Sequence, residues 1–523
     1  MKMLKVWVIA LLLAACNEAV EELPSAASVP QGLVPTHQPT ATPTRQQTPA
    51  PAYTSFFETA DCQFEHNIEA EVQCGYLVVP EQRSRPERTI RLHTAIIPSR
   101  SSTPLPDPLV FLNGGPGAHT LVWADFYAAR FDDILEQRDL ILLDQRGVGF
   151  SEPALDCPEV MADKLVHIEE DLDLAVEKEN YLAAMELCYE RLTAAGIDFS
   201  AYNSAASAAD LDDLRRELGY ESWNMLGISY GTRLALTAVR DFGHTGTIRS
   251  VVLDSTYPPQ IDAYLASGAN LNNAFDLLFA RCANNESCNR AFPDLRFRFY
   301  ALVEKLNAEP TTVFVTDQQT RKTYQVPFNG YDLIDTLFEM MYNPDQIIKL
   351  PRLLTRLEQD RTFDLSEWLT NALRQSEYFS QGMTVSVQCT EEMPFNNLAG
   401  LQGSLAGLPP QLADFIEINA HSFSSSCDLW QVEPAAANET QPVSSDIPTL
   451  ILAGDYDPIT PPSFGHETAA HLDQAYTFEL LGQSHGVVTT NDCAVELLVG
   501  FLNEPHRPPD DSCLDGLYVG FAN

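Results

Sequence analysis

Gly227-Ile228-Ser229-Tyr230-Gly231 sets a serine between two glycines. The apolar residues 223–226 before it suit a buried strand, and residues 232–240 after it are helix-prone. A strand that turns sharply into a helix at a serine presents the side-chain oxygen at the helix N-terminus. Backbone N–H groups and the helix dipole there favour a developing negative charge. The glycines allow strand and helix to approach closely around a strained residue. This is the setting for attack on a carbonyl, and it needs a base and an acid that orients the base. His485, in Gly482-Gln483-Ser484-His485-Gly486, follows the last strand-like run and is the candidate base. Asp457 follows the run before it and is the candidate acid. Asp455, two residues earlier, and Asp254, at the end of an earlier apolar run, compete for that role. The loop Asn113-Gly114-Gly115-Pro116-Gly117 follows another apolar run. Its bare backbone suits the second half of an oxyanion hole, so the N–H groups of Tyr230 and Gly115 are the candidate donors.

These residues need a scaffold. Residues 75–80, 89–97, 108–112, 139–144, 223–226 and 250–254 read as core strands, and so do 448–452 and 476–480 near the C-terminus. Continuous apolar runs alternating with helical stretches predict an α/β fold with a mostly parallel sheet. Residues 159–219 read as helical, with acidic stretches expected to be solvated faces. From Pro258 to about residue 445 the strand–helix rhythm is lost and helical segments dominate. That stretch reads as a cap inserted after the sixth core strand, dividing the catalytic domain into residues 56–257 and 446–523. A cap at this point lies over the strand C-termini, where such sheets bind ligands.

The chain has 523 residues, 45% of them hydrophobic, and carries a net charge of −40 from 72 acidic and 32 basic residues. That balance argues against nucleic acid or an anionic membrane surface as a partner of the folded part. Residues 1–16 combine Lys2 and Lys5 with a short apolar run and end in Leu13-Ala14-Ala15-Cys16. The run is too short to span a membrane and reads as an export signal. The cysteine after Leu-Ala-Ala resembles a bacterial lipobox, so Cys16 is the expected lipid anchor and the only membrane contact. Residues 17–55, rich in Pro, Thr, Ala and Gln, read as a disordered tether. Ten further cysteines remain of the 11, an even number in an exported chain. They fall as near-neighbour couples: Cys62 and Cys74, Cys157 and Cys188, Cys282 and Cys288, Cys389 and Cys427, Cys493 and Cys513. Spacing alone does not fix their connectivity. None has Cys-x-x-Cys spacing and no histidine cluster accompanies them, so neither metal nor cofactor is expected.

Asn-Gly-Gly-Pro-Gly at 113–117, Asp-Gln-Arg-Gly-Val-Gly-Phe-Ser at 144–151 and Gly-Ile-Ser-Tyr-Gly at 227–231 resemble, in order and spacing, the prolyl and tripeptidyl aminopeptidases of the α/β-hydrolase fold. The resemblance spans roughly Cys62 to Cys513. Many members begin the glycine loop with His where this chain has Asn113; a backbone donor is indifferent to that change. The resemblance implies that Ser229, Asp457 and His485 form a triad, and that Asp144 and Arg146 brace the loops around it. It implies peptide substrates with a free N-terminus, shortened by one residue or by a tripeptide, and a monomeric enzyme. Because caps of that family use glutamates to hold the substrate ammonium, Glu391 and Glu392, beside Cys389, are the expected receptors. An esterase or amidase of small compounds, or an inactive hydrolase fold that binds a partner, are the other readings.

Overall fold

The computed structural model describes residues 53–172, 174–396 and 400–522. Cys16, the export signal and nearly all of the tether lie outside the described residues. Among the described residues a nine-stranded sheet runs in the order β1-β2-β3-β5-β4-β6-β7-β10-β11. The strands are β1 (Phe56–Thr59), β2 (Gln73–Gln82), β3 (Arg85–Ile97), β4 (Leu109–Leu112), β5 (Leu140–Leu143), β6 (Trp223–Ile228), β7 (Ile248–Asp254), β10 (Thr449–Gly454) and β11 (Ala475–Leu480). Strands β8 (Thr311–Thr316) and β9 (Thr323–Phe328) form a separate antiparallel hairpin. β1, β2 and β3 pair antiparallel, and β3 joins β5 antiparallel. From β5 to β11 every pairing is parallel.

The central strands β4 and β5 are apolar throughout because both faces are covered, whereas the edge strand β11 is mostly half-buried. Alternate residues feed two cores. Leu112, Ile141, Met225 and Val251 join one, which continues into the cap. Phe111, Leu142, Leu226 and Val252 join the other, against the C-terminal helix Asp492–Asn503.

The eight expected core strands are present, and the structure adds three. β1 was missed because Phe-Phe-Glu-Thr is short and lies at the sheet edge; it makes the cap an insertion after the seventh strand. The β8–β9 hairpin lies inside the stretch read as helical; burial alternates along it, with Val313 and Val315 buried and Phe314 exposed. The helices Pro158–His167 and Leu174–Ala194, read as solvated, lie over the site together with the residue 258–445 insertion.

All five cysteine couples are disulfide-bonded as nearest partners: Cys62–Cys74, Cys157–Cys188, Cys282–Cys288, Cys389–Cys427 and Cys493–Cys513. Two of them tie the roof: Cys157–Cys188 joins the roof helices and Cys389–Cys427 joins the cap helices Gln381–Glu391 and Pro410–Trp430. Five disulfides place the chain in an oxidising, extracytoplasmic compartment.

The turn between β6 and the helix Tyr230–Phe242 leaves no room for side chains beside the serine. A Cβ on Gly231 would overlap the Leu112 carbonyl, and one on Gly227 would overlap the Gly231 carbonyl. Both obstacles are backbone and cannot swing aside. Gly231→Ala is therefore expected to destabilise the fold by about 3 kcal/mol, read as a lower midpoint of urea unfolding. An unchanged midpoint would mean that β4 can shift away from the helix.

Candidate active site

Ser229 caps the N-terminus of its helix with φ 55° and ψ −125°. A non-glycine residue in this region is strained and persists only where its surroundings hold it. Here the Ser229 N–H donates to the Asp254 carbonyl at 3.0 Å, and the Ser229 carbonyl accepts from the Thr232 N–H at 2.8 Å and its hydroxyl at 2.6 Å. Strand pairing on one side and the first helical turn on the other therefore hold the turn.

Ser229 and His485 line the same cavity, of about 710 Å³. His485 Nδ1 lies 2.8 Å from Asp457 Oδ2 and 3.1 Å from Thr460 Oγ1. Asp457 is 2% exposed, and its other oxygen accepts the N–H groups of Ile459 and Thr460 at 3.0 and 2.9 Å. Burial alone would raise the Asp457 carboxyl, but His485 and these donors outweigh it and hold it below its usual value. Burial likewise opposes a charge on His485; the Asp457 carboxylate, with Asp254 and Glu339 behind it, holds the imidazole above its usual value. The Tyr342 ring meets the imidazole edge-on at 4.8 Å.

The rival acids have other partners. Asp254 accepts the Val487 and Val488 N–H groups at 3.0 and 2.8 Å, anchoring the turn that carries His485. Burial pushes its carboxyl up to about 7. Asp455 pairs with Arg281 and accepts the Gly482 N–H.

Gly114 and Gly115 line the cavity beside Ser229; a Cβ on Gly114 would lie 3.3 Å from the serine oxygen. Gly115 has φ +108°. Asn113 holds the loop through its side chain: its Oδ1 accepts the Gly114 N–H at 2.9 Å, and its Nδ2 donates to the His119 carbonyl at 3.1 Å. The Tyr230 side chain is buried, with its hydroxyl 2.8 Å from Ser204 Oγ, so its backbone alone is available to a substrate. Asp144 accepts the Thr120, Leu121 and Phe150 N–H groups. Arg146 reaches Asp210 and the Glu81 and Ala201 carbonyls.

Glu391 and Glu392 occupy a different place from the one expected. Both are buried, at 1% and 4% exposure, and neither lines the cavity. Arg233, from the helix that follows Ser229, pairs with both. Glu391 also accepts the Ser204 N–H and hydroxyl at 2.5 and 2.7 Å. Their charge is met inside the protein, which corrects their assignment as ammonium receptors. The cause is tertiary: Gln381–Glu391 is helical rather than extended, and its end turns toward the elbow helix.

Among the described residues three carboxylates line the cavity, Asp163, Glu177 and Glu339; the one that acts on His485 is Glu339, at the end of the helix Gly330–Met340. Its Oε1 is buried without a hydrogen-bond partner. Burial pushes its carboxyl up to about 7, against the pull of His485 and Lys164. Nothing in the sequence marks this residue among the acids of an amphipathic helix; only the fold brings it to the imidazole.

Residues 107–491 match the alpha/beta hydrolase fold family. The chain belongs to that family. It is a serine hydrolase. The serine protease Hip1 of Mycobacterium tuberculosis is 24% identical over 456 residues, covering 83% of this chain and 86% of that protein. A tripeptidyl aminopeptidase of Streptomyces lividans is 30% identical over 220 residues, covering 39% of this chain and 38% of its own. Among solved structures, the proline iminopeptidase of Mycobacterium smegmatis aligns over 82% of this chain and 98% of its own, at 14% identity and a TM-score of 0.42.

Proposed function

We propose that this enzyme is a serine exopeptidase acting near the free N-terminus of peptides, with Ser229 as nucleophile, His485 as base and Asp457 as acid. The observation that carries this reading is the roofed cavity itself. Ser229, the Asp457-bound imidazole and Glu339, whose Oε1 has no hydrogen-bond partner, line one roofed space.

In the forward reaction Ser229 Oγ attacks the scissile carbonyl carbon while His485 takes the hydroxyl proton. The carbonyl oxygen becomes an oxyanion received by the Tyr230 and Gly115 N–H groups. Collapse breaks the C–N bond, and His485 returns the proton to the departing amine. Water then attacks the acyl-enzyme by the same route, releasing the acid and restoring Ser229. Asp457 holds the imidazole tautomer and stabilises the imidazolium. Glu339 takes the role first given to Glu391 and Glu392, because a buried ammonium needs a carboxylate that is not already engaged with an arginine.

The test is a panel of prolyl, alanyl and tripeptidyl arylamides, each with an N-acetylated control. Turnover confined to free amines supports the exopeptidase. Equal turnover of the blocked forms points to an amidase or esterase with the same nucleophile. Glu339→Gln is expected to lower kcat/KM for free amines by about tenfold, corresponding to ~1.4 kcal/mol, and to leave a small neutral ester nearly unchanged. The same change removes a negative charge that raises the His485 pKa. The base works in its neutral form, so the acid limb of the pH–rate profile should move to lower pH. A limb that stays in place, with both substrates equally affected, would return Glu339 to a packing role.

The tether and anchor complete the proposal. Cys16, lipidated after cleavage of residues 1–15, would hold the enzyme at a bacterial membrane surface. Cys16→Ser should move the protein from the membrane fraction to the soluble one, and unchanged sedimentation with membranes would remove the anchor.

A further inference from the structure

The glycine loop beside Ser229 is held as much by the cap as by the sheet that carries it. The Ser380 N–H donates to the Gly117 carbonyl at 2.9 Å, and the His119 N–H to the Tyr378 carbonyl at 3.0 Å. Ala118 and Phe379 form an antiparallel bridge. The Thr384 hydroxyl donates to the Pro116 carbonyl at 2.6 Å. The approach is tight: a Cβ on Gly117 would lie 2.7 Å from the Ser380 carbonyl oxygen. One side chain links three segments. Ser380 Oγ donates to Asp156 Oδ1 at 2.5 Å, lies 3.2 Å from His119 Nε2 and accepts the Gly149 N–H at 3.4 Å. Ser380 is fully buried. The Gly382 N–H continues the seam, donating to the Leu155 carbonyl at 2.8 Å.

We infer that the cap segment from Tyr378 to Thr384 sets the oxyanion loop, with Ser380 and Thr384 as positioning residues for the hydrolytic reaction. An oxyanion donor must meet the position of the charged oxygen within a fraction of an ångström, and a flexible Gly-Gly-Pro-Gly loop cannot hold that position by itself. The sheet side holds the loop at its start, where Gln145 Nε2 donates to the Asn113 carbonyl, and just past its end, where Asp144 accepts the Thr120 and Leu121 N–H groups. Its far side, Pro116 to His119, is bonded to the cap. Phe379, Gln381 and Thr384 also line the cavity, so one segment touches the substrate space and holds the loop. Seating of the cap and stabilisation of the oxyanion are therefore linked. The inference rests on the reading of Ser229 as an acyl-transfer nucleophile with a Gly115 backbone donor.

Thr384→Val keeps the shape of the side chain and removes its donor; Thr384→Ser keeps the donor. Turnover would be measured on an aminoacyl arylamide and on a small acetate ester, together with the affinity for a boronic acid that forms a tetrahedral adduct on the serine. Thr384→Val is expected to lower kcat about tenfold on both substrates, with KM within about twofold, and to weaken the boronic acid in the same proportion. Thr384→Ser should restore kcat to within about twofold of the wild type. Ser380→Ala, removed from the substrate space by its burial, should lower kcat in the same way, in a protein that remains folded at the assay temperature. A loss confined to the arylamide and to KM would make Thr384 a substrate contact and overturn the inference. So would full activity of both Thr384→Val and Ser380→Ala. Failure of the acyl-transfer reading shows separately, as wild-type protein that neither a fluorophosphonate nor the boronic acid engages, and would overturn both.

Discussion

Ser229→Ala should lose amide and ester hydrolysis by roughly 10⁵–10⁶-fold in kcat while keeping its fold. The serine oxygen borders the cavity, and the turn that carries it is held by backbone bonds that alanine retains. A fluorophosphonate should label the wild type and not the variant. Asp457→Asn should cost on the order of 10⁴-fold, because the imidazole then loses both its tautomer and its counter-charge. Asp254→Asn keeps an acceptor for only one of the Val487 and Val488 N–H groups and loosens that turn, but leaves the Asp457–His485 contact in place, and should cost far less. Asp455→Asn breaks a pair with Arg281 away from the imidazole and should be milder still. Near wild-type turnover in a folded Ser229→Ala protein would falsify the assignment of the nucleophile. If Asp254→Asn proved the crippling change, the acid would belong to β7.

The second large effect concerns stability. Arg233, Glu391 and Glu392 form a buried charge group joining the elbow helix to the cap. Burial alone would lower the Arg233 guanidinium, but the two carboxylates outweigh it and hold it above its usual value. Arg233→Met strands both carboxylates in the interior, at a cost of about 3–5 kcal/mol. Thermal and urea unfolding should both report it. Exchanging all three residues for apolar ones of similar volume should recover much of the loss, since a packed apolar group avoids the desolvation of three charges. A single Arg233→Met with unaltered unfolding would mean that water reaches these carboxylates. Glu391→Gln should lower arylamide and ester turnover in equal proportion, as a change in cap seating does. A selective loss on free amines would return the ammonium to this residue.

The proposed order Ser229, Asp457, His485 is readable along the chain because each part of it is local. The elbow glycines answer to backbone atoms within a few residues or on the adjacent strand. Asp457 and His485 each stand in the loop that follows a strand, β10 and β11, and parallel strands place their C-terminal ends on one side of the sheet. The disulfide couples were legible as candidates for the same reason, since each pair is close in sequence. The acidic surface and the break in strand rhythm at Pro258 were likewise features of composition.

Partners between distant segments were not legible. Glu391 and Glu392 carry no mark that separates a cavity carboxylate from one paired to an arginine; that depends on the turn of one helix end toward another. Glu339 looks like any acid on an amphipathic helix until the cap lays it beside His485. The helices at 158–194 read as solvated because their acids count equally on either face, yet one face roofs the cavity. Sequence by itself determined the α/β scaffold, the strained turn at Ser229 and the placing of Asp457 and His485 after late strands, because strand period and turn geometry are properties of neighbouring residues. Only the tertiary structure decided which carboxylates meet the substrate space and what holds the oxyanion loop, because a charge is defined by the partner that desolvates or neutralises it.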